Sequence, residues 1–365
     1  MRPLARTVAV AVALFSVLAA AAQAAPPSIY ADGLDAPRGL TFGPDGALYV
    51  AEAGSGGTTT SADLCPELTV PPPVGPVMNG RTARVSRVDR HGVRSTVADG
   101  LPSSVTQFGG DYIGMADVAF VRQRLYALLA GGGCSNGERD PNLPNGVIRI
   151  RRAGSWSYVA NLSEYYMSHP VANPPETADF TPDGVPYDMV AKGGDLYIVE
   201  ANSGALDRVS VRTGRIERVI DISASLGHSV PTALDARGGA FYVGTLGAFP
   251  IVPGAQNVYR ITREGTLEVV ASGLTAVVGI ALDARGRLYA LETSAVGPFP
   301  TQNAGRLVRL TRAGTWETVA DNLNYPTAMV FGPDRALYVS VNGYNVGPET
   351  GQVVRVAVDG YRHEG

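Results

Sequence analysis

The chain repeats itself, and that repeat restricts its fold more than any other feature. The segment "PRGLTFGPDGALYVAEAG" at residues 37–54 returns near the far end as "PTAMVFGPDRALYVSVNG" at residues 326–343. Both alternate apolar and polar residues, break at Gly-Pro-Asp, and alternate again. That is the pattern of two strands joined by a tight turn. The second strand carries a three-residue anchor, found as LYV at Leu48, LYA at Leu125, LYI at Leu196, FYV at Phe241, LYA at Leu288 and LYV at Leu337. Successive anchors stand 77, 71, 45, 47 and 49 residues apart. The last three spacings match the roughly 40–50 residues of a four-stranded propeller blade, and insertions account for the two long ones.

Each unit has a second half: a strand such as "RVSRVDR", "GVIRIRR" or "RLVRLTR", a Gly-containing turn, and a short strand ending like "TVADGL" or "ETVADNL". Four strands in each of six units give twenty-four, and no segment shows a sustained helical period. The sixth unit lacks its outer strand, since only "YRHEG" follows "QVVRVAVDG". Residues 28–34, "SIYADGL", match the missing piece. The expectation is an all-β, six-bladed β-propeller whose ring is closed when the N-terminal strand joins the last blade, leaving no open sheet edge at the seam.

Residues 1–24 read as a secretory signal peptide, with Arg2 and Arg6, an apolar run from Val8 to about Ala22, and Ala22-Gln23-Ala24 as the cleavage site. Residues 25–365 are then one exported propeller domain, extracellular or in the cell envelope, expected to be a monomer. No other stretch approaches the roughly 20 apolar residues of a membrane span. Formal net charge is −3 and no basic patch is present, which argues against nucleic acid and anionic membranes as partners. The two cysteines, Cys65 and Cys134, form neither a CxxC pair nor a cluster with histidines. In an exported chain they are expected to form one disulfide.

The tight turns stay short ("GPDG", "RQR", "KGGD", "ARGG", "ARGR", "GPDR"), so every long segment falls on the opposite face of the ring. Long loops on a rigid scaffold are where binding usually resides. The disulfide would pin two of them, and the loop aromatics Tyr165, Tyr166, Phe249, Phe299 and Tyr344 offer a contact surface or pack the loops down.

Four residues beyond each anchor stand Glu52, Leu129, Glu200, Thr245, Glu292 and Val341, so an acid marks alternate blades. These carboxylates either pair with arginines and cap loop N–H groups or ring the channel mouth for a cationic group. The first strands open with Arg38, Asp117, Tyr187 and Asp188, Thr232, Val278 and Thr327. Asp117 and Asp188 are the best pair for a divalent cation such as Ca²⁺, or they are turn or cap residues opening a strand, and no cofactor follows from them alone. There is no GxSxG, no HExxH and no phosphate loop. His169 and His228 lie in interblade loops, and Asn161 opens an N-x-S sequon.

The ordered set "GLDAPRGLTFGPDGALYVAEAGSGG", "GGGCSNG", "VPTALDARGGAFYVGTLGAFP", "TAVVGIALDARGRLYALETSA" and "PTAMVFGPDRALYVSVNGY" resembles the ScyD/ScyE family of exported NHL-like propellers. More distantly it is similar to the SMP-30/gluconolactonase and strictosidine synthase propellers. The family resemblance implies the fold and export but no settled activity. The lactonase resemblance implies a divalent ion held by Glu, Asn and Asp opening first strands. Here Arg38 stands where that Glu belongs, and no Asn opens a first strand. Two functions are expected to compete: a module binding a small molecule, glycan or protein through Arg38, Glu52, Asp117, Tyr187, Asp188, Glu200, Glu292, Phe249, Phe299 and Tyr344, or a metal-dependent hydrolase or lactonase centred on Asp117 and Asp188. An accessory role in a pigment pathway is a third.

Overall fold

The computed structural model describes residues 26–62, 64–65, 75–106, 110–176, 179–262 and 265–358. Residues 1–24, expected from the sequence to be a signal peptide, lie outside them. The described strands form six antiparallel sheets around a central channel. Blade 2 shows the plan, with strands Met115–Val121, Arg124–Leu129, Gly146–Ile150 and Trp156–Asn161 paired in chain order from the channel outward. The other innermost strands are Pro37–Phe42, Pro186–Lys192, Pro231–Arg237, Val277–Leu282 and Ala328–Phe331, each packed against its neighbours around the ring.

The ring closes as the sequence pattern requires. Ser28–Leu34 pairs antiparallel with Gly351–Val356 as the outer strand of blade 6. Across the same seam Thr327 Oγ1 donates to Pro37 O (2.6 Å), and Ser340 Oγ donates to Arg38 O (2.7 Å).

The alternating strands bury one apolar set on each sheet face, so the core is divided into six clusters, one per blade interface. The anchor tyrosines explain why the motif recurs. Tyr49 packs edge-on against Phe120, Tyr289 against Phe331 and Tyr338 against Phe42, each ring reaching the next blade at 4.9–5.4 Å. Such pairs contribute about 0.5–1.5 kcal/mol beyond their burial.

Two short α-helices, Leu162–Ser168 and Ser223–Leu226, sit in interblade loops. The sequence shows no period there because neither exceeds two turns. Asn161 caps the first, its side chain accepting from Glu164 N (3.1 Å), so the sequon asparagine is engaged in the fold. No described helix is long and apolar enough to cross a membrane. Blade 1 is the irregular one: its outer hairpin, Val77–Val88 with Arg94–Thr106, runs beyond the blade and adds the short strands Thr59–Thr60 and Tyr112–Ile113.

Candidate functional site at the channel mouth

The six innermost strands enclose a cavity of about 430 Å³ whose lining runs from Gly39, Asp117, Asp188 and Val278 toward the tight-turn ends at Phe42, Phe120, Leu282 and Phe331. Its acidic side chains are Asp117, Asp188 and Asp235. They form a staircase. Asp117 Oδ2 accepts from Met189 N of blade 3 (2.9 Å), Asp188 Oδ2 from Leu234 N of blade 4 (2.7 Å), and Asp235 Oδ2 from Leu282 N of blade 5 (2.7 Å). The second oxygen of each accepts from the following residue's own N–H, at 2.6–2.7 Å. Innermost strands have unpaired edge amides, and these carboxylates satisfy them across blade boundaries.

Asp117 and Asp188 also share a donor, since Asp188 Oδ1 accepts from Met189 N (2.7 Å) as well. Burial, then the Asp188 charge, raises Asp117 well above the carboxylate range. Burial pushes Asp188 up to about 6 against the pull of the Leu234 amide.

This donor set does not fit a resident divalent ion. Backbone N–H groups present positive dipole ends to the oxygens a cation would need, and a hard cation wants six to eight oxygens. Among the described residues the one group of three or more His, Cys, Asp or Glu ligand atoms close enough to share an ion is Cys65, Cys134 and Asp183.

The three glutamates are fully buried inside their own blades and do not line the cavity. Glu52 accepts from Asp35 N (2.7 Å), Ser86 Oγ and Arg94 Nη1 (3.3 Å). Burial lifts it to about 7 against Ser86 and Arg94. Glu200 accepts from Val185 N (2.7 Å), Asn202 N (3.0 Å) and Ser203 N (2.6 Å). Glu292 accepts from Thr275 N (2.7 Å) and Arg306 Nε (2.6 Å). In each case the acid ties down the chain entering its blade, which is the capping role the spacing allowed.

On the loop face the structure gathers a different group. Arg38 Nη2 reaches Asp111 Oδ1 (3.4 Å) and the Tyr112 carbonyl. Burial raises the pKa of the Tyr187 phenol, against the pull of the Arg38 charge. Tyr344 is pushed up to about 12 by burial and then by the Asp111 charge, and packs 6.1 Å from Tyr325. Asn345 N donates to Gly110 O (2.6 Å), and Tyr112 OH donates to Val346 O (2.8 Å), so the blade 6 loop folds over the entry to blade 2. Arg38 keeps 14% of its side chain exposed and Asp111 37%. Thus Arg38, Tyr187 and Tyr344 come together as a mouth, one storey above Asp117 and Asp188. Asp111, Tyr112 and Tyr325 complete it; Asp111 and Tyr112 lie in the segment leading into blade 2, whereas Tyr325 occupies the repeated position of Ala36 and Ala276.

Phe249 and Phe299 form a separate T-shaped pair 5.4 Å apart on the loops of blades 4 and 5, with Phe249 66% exposed. Tyr166 is buried, Tyr165 stacks on His169 at 4.2 Å, and His228 pairs with Asp179 (2.8 Å). Cys65 and Cys134 are joined as a disulfide.

No protein-family profile matches this chain, and no curated protein matches it. Solved structures do. A Thermus thermophilus protein assigned as an oxidoreductase (glucose dehydrogenase) matches with a TM-score of 0.55 at 18% identity over 91% of this chain and 99% of its own. A protein assigned as a gluconolactonase matches with 0.52 at 15% over 94% and 96%. The PQQ-bound aldose sugar dehydrogenase of Streptomyces coelicolor matches with 0.53 at 12% over 90% and 96%. At these identities the likeness is one of fold: the structural neighbours are gluconolactonase-like and glucose-dehydrogenase-like six-bladed propellers.

Proposed function

We propose that this chain is an exported propeller of the ScyD/ScyE, NHL-like kind that binds a small polyhydroxylated molecule at its loop-face mouth, without metal-dependent chemistry. The observation that carries the reading is Arg38, partly exposed and held by Asp111 and the Tyr112 carbonyl, with its charge acting on the Tyr187 and Tyr344 phenols. A guanidinium, a carboxylate and phenols offer donors and acceptors to vicinal hydroxyls, and an aromatic face takes the apolar side of a ring. Export is supported by the signal-like segment at 1–24 and by the disulfide.

The lactonase alternative has the fold in its favour, but Asp117 and Asp188 are committed to backbone amides, and among the described residues no third His, Cys, Asp or Glu joins them at ligand distance. Ligand-observed NMR on the secreted protein, with glucose, gluconate and glucono-δ-lactone as probes, tests the reading. Saturation transfer that survives a chelator and disappears in Arg38→Gln is expected. Transfer that needs added Ca²⁺, or lactone turnover that needs it, would overturn it.

A further inference from the structure

The Cys65–Cys134 disulfide has an unusual neighbour. Asp183 is 4% exposed, and one of its oxygens and the two sulfurs all lie within 4.8 Å of one another. Among the described residues no arginine, lysine or histidine pairs with this carboxylate. Its partners are Ser135 N (2.9 Å) and Ser135 Oγ (2.7 Å). Asn145 Nδ2 holds the Asp183 and Gly184 carbonyls at 3.2 and 3.0 Å. Gly133 lets the carboxylate approach, because a Cβ there would lie 2.1 Å from Asp183 Oδ1. The carboxylate is thus held in place by contacts that do not depend on the sulfur–sulfur bond. Hydrogen bonds of this kind orient metal-ligating carboxylates.

We propose that reduction of the Cys65–Cys134 disulfide by a dithiol converts this corner into a zinc site, with two thiolates and Asp183 as ligands and water in the fourth position. The disulfide takes two electrons and two protons from the dithiol, which leaves as its own cyclic disulfide. Zinc binding then releases the two thiol protons to solvent as both sulfurs become thiolates. Two thiolates and a carboxylate confined here would carry three negative charges, so the reduced, deprotonated corner requires a cation. A mixed sulfur and oxygen set of three with one open position suits zinc better than Ca²⁺ or Mg²⁺. The corner links the long loop of blade 1 to that of blade 2, so either a disulfide or a metal would fasten the same two loops. The zinc site is independent of ligand binding at Arg38.

The test is cobalt titration of the full secreted protein, with and without reduction by a water-soluble phosphine, followed by zinc competition. In the reduced protein, one cobalt per chain with a thiolate-to-cobalt charge-transfer band, displaced by zinc, is expected. The oxidised protein should give no such band. Asp183→Asn should weaken cobalt binding at least about tenfold, with oxidised-state circular dichroism confirming its fold. Should that variant not fold, Cys134→Ser must abolish the band instead. A second readout is melting of the reduced wild type, which zinc should raise while leaving the oxidised form unmoved. No band on reduction, or an undiminished band in Asp183→Asn, overturns the proposal.

Discussion

Asp117, on the innermost strand of blade 2, accepts a hydrogen bond from the backbone N–H of Met189 in blade 3 across 2.9 Å. That contact makes Asp117 a tie between blades, and its surroundings are shaped to admit it. A Cβ on Gly39 of blade 1 would fall 1.9 Å from Asp117 Oδ1, so three blades meet at one carboxyl group.

Gly39→Ala should therefore destabilise the fold by about 2–3 kcal/mol, as overpacking of a filled site does. In an Asp117→Ser background the carboxyl clash is gone and only the 2.8 Å approach to the residue 117 Cα remains, so the same substitution should have less effect. Urea unfolding of the four proteins measures the coupling, and strictly additive losses would contradict the contact.

Acidity should stabilise the protein within a defined window. Glu52 and Asp207 are raised to about 7 and Asp188 to about 6, in each case chiefly by burial. In an unfolded chain these acids titrate near 4. The folded state therefore holds more protons between about pH 4 and 7, and stability falls as pH rises through that window. The melting temperature should drop from pH 5 to pH 8, and Asp207→Asn should flatten the curve.

Glu292→Ala leaves Arg306 and the Thr275 amide without their carboxylate. Arg306 is a third exposed and can be hydrated, so losing these hydrogen bonds from a buried carboxylate should lower stability by about 2 kcal/mol. The exposed pair Arg87–Asp45, at 2.8 Å, should contribute no more than about 1 kcal/mol. Neither Glu292→Ala nor Asp45→Ala should alter ligand affinity, which separates the buried glutamates from the mouth.

Deleting Ser28–Leu34 strips the outer strand from blade 6 and bares the edge of Gly351–Val356. A chain beginning after residue 34 should elute as aggregate on size exclusion, because an uncovered strand recruits others. Recovery of a folded, monomeric product would contradict the closure.

Much of this architecture is legible in the sequence because a propeller repeats its packing problem six times. Tyr49, Tyr289 and Tyr338 recur because each must reach the next blade, and the closing strand is readable because it copies the end of other units. Asp235 escapes the simple alignment, since it stands two residues further along its strand than Asp117 and Asp188 do on theirs, relative to the anchors. A two-residue step keeps the same strand face, so the register holds the clue. The mouth is harder to read. Arg38, Tyr187, Tyr325 and Tyr344 sit in or beside repeated units, but Asp111 lies in a linker, where nothing periodic indicates which loop folds over which. The glutamates are conspicuous for their spacing, yet their partners, such as Ser203 and Arg306, are fixed by tertiary contacts.

The most direct measurement is calorimetric titration of gluconate or glucose, in a chelating buffer, into wild type, Arg38→Gln and Asp188→Asn side by side. Binding to wild type and to a folded Asp188→Asn, with loss of at least about tenfold in affinity for Arg38→Gln, is the predicted result. Binding that survives in Arg38→Gln but is lost in Asp188→Asn would place the site among the channel aspartates and contradict the account.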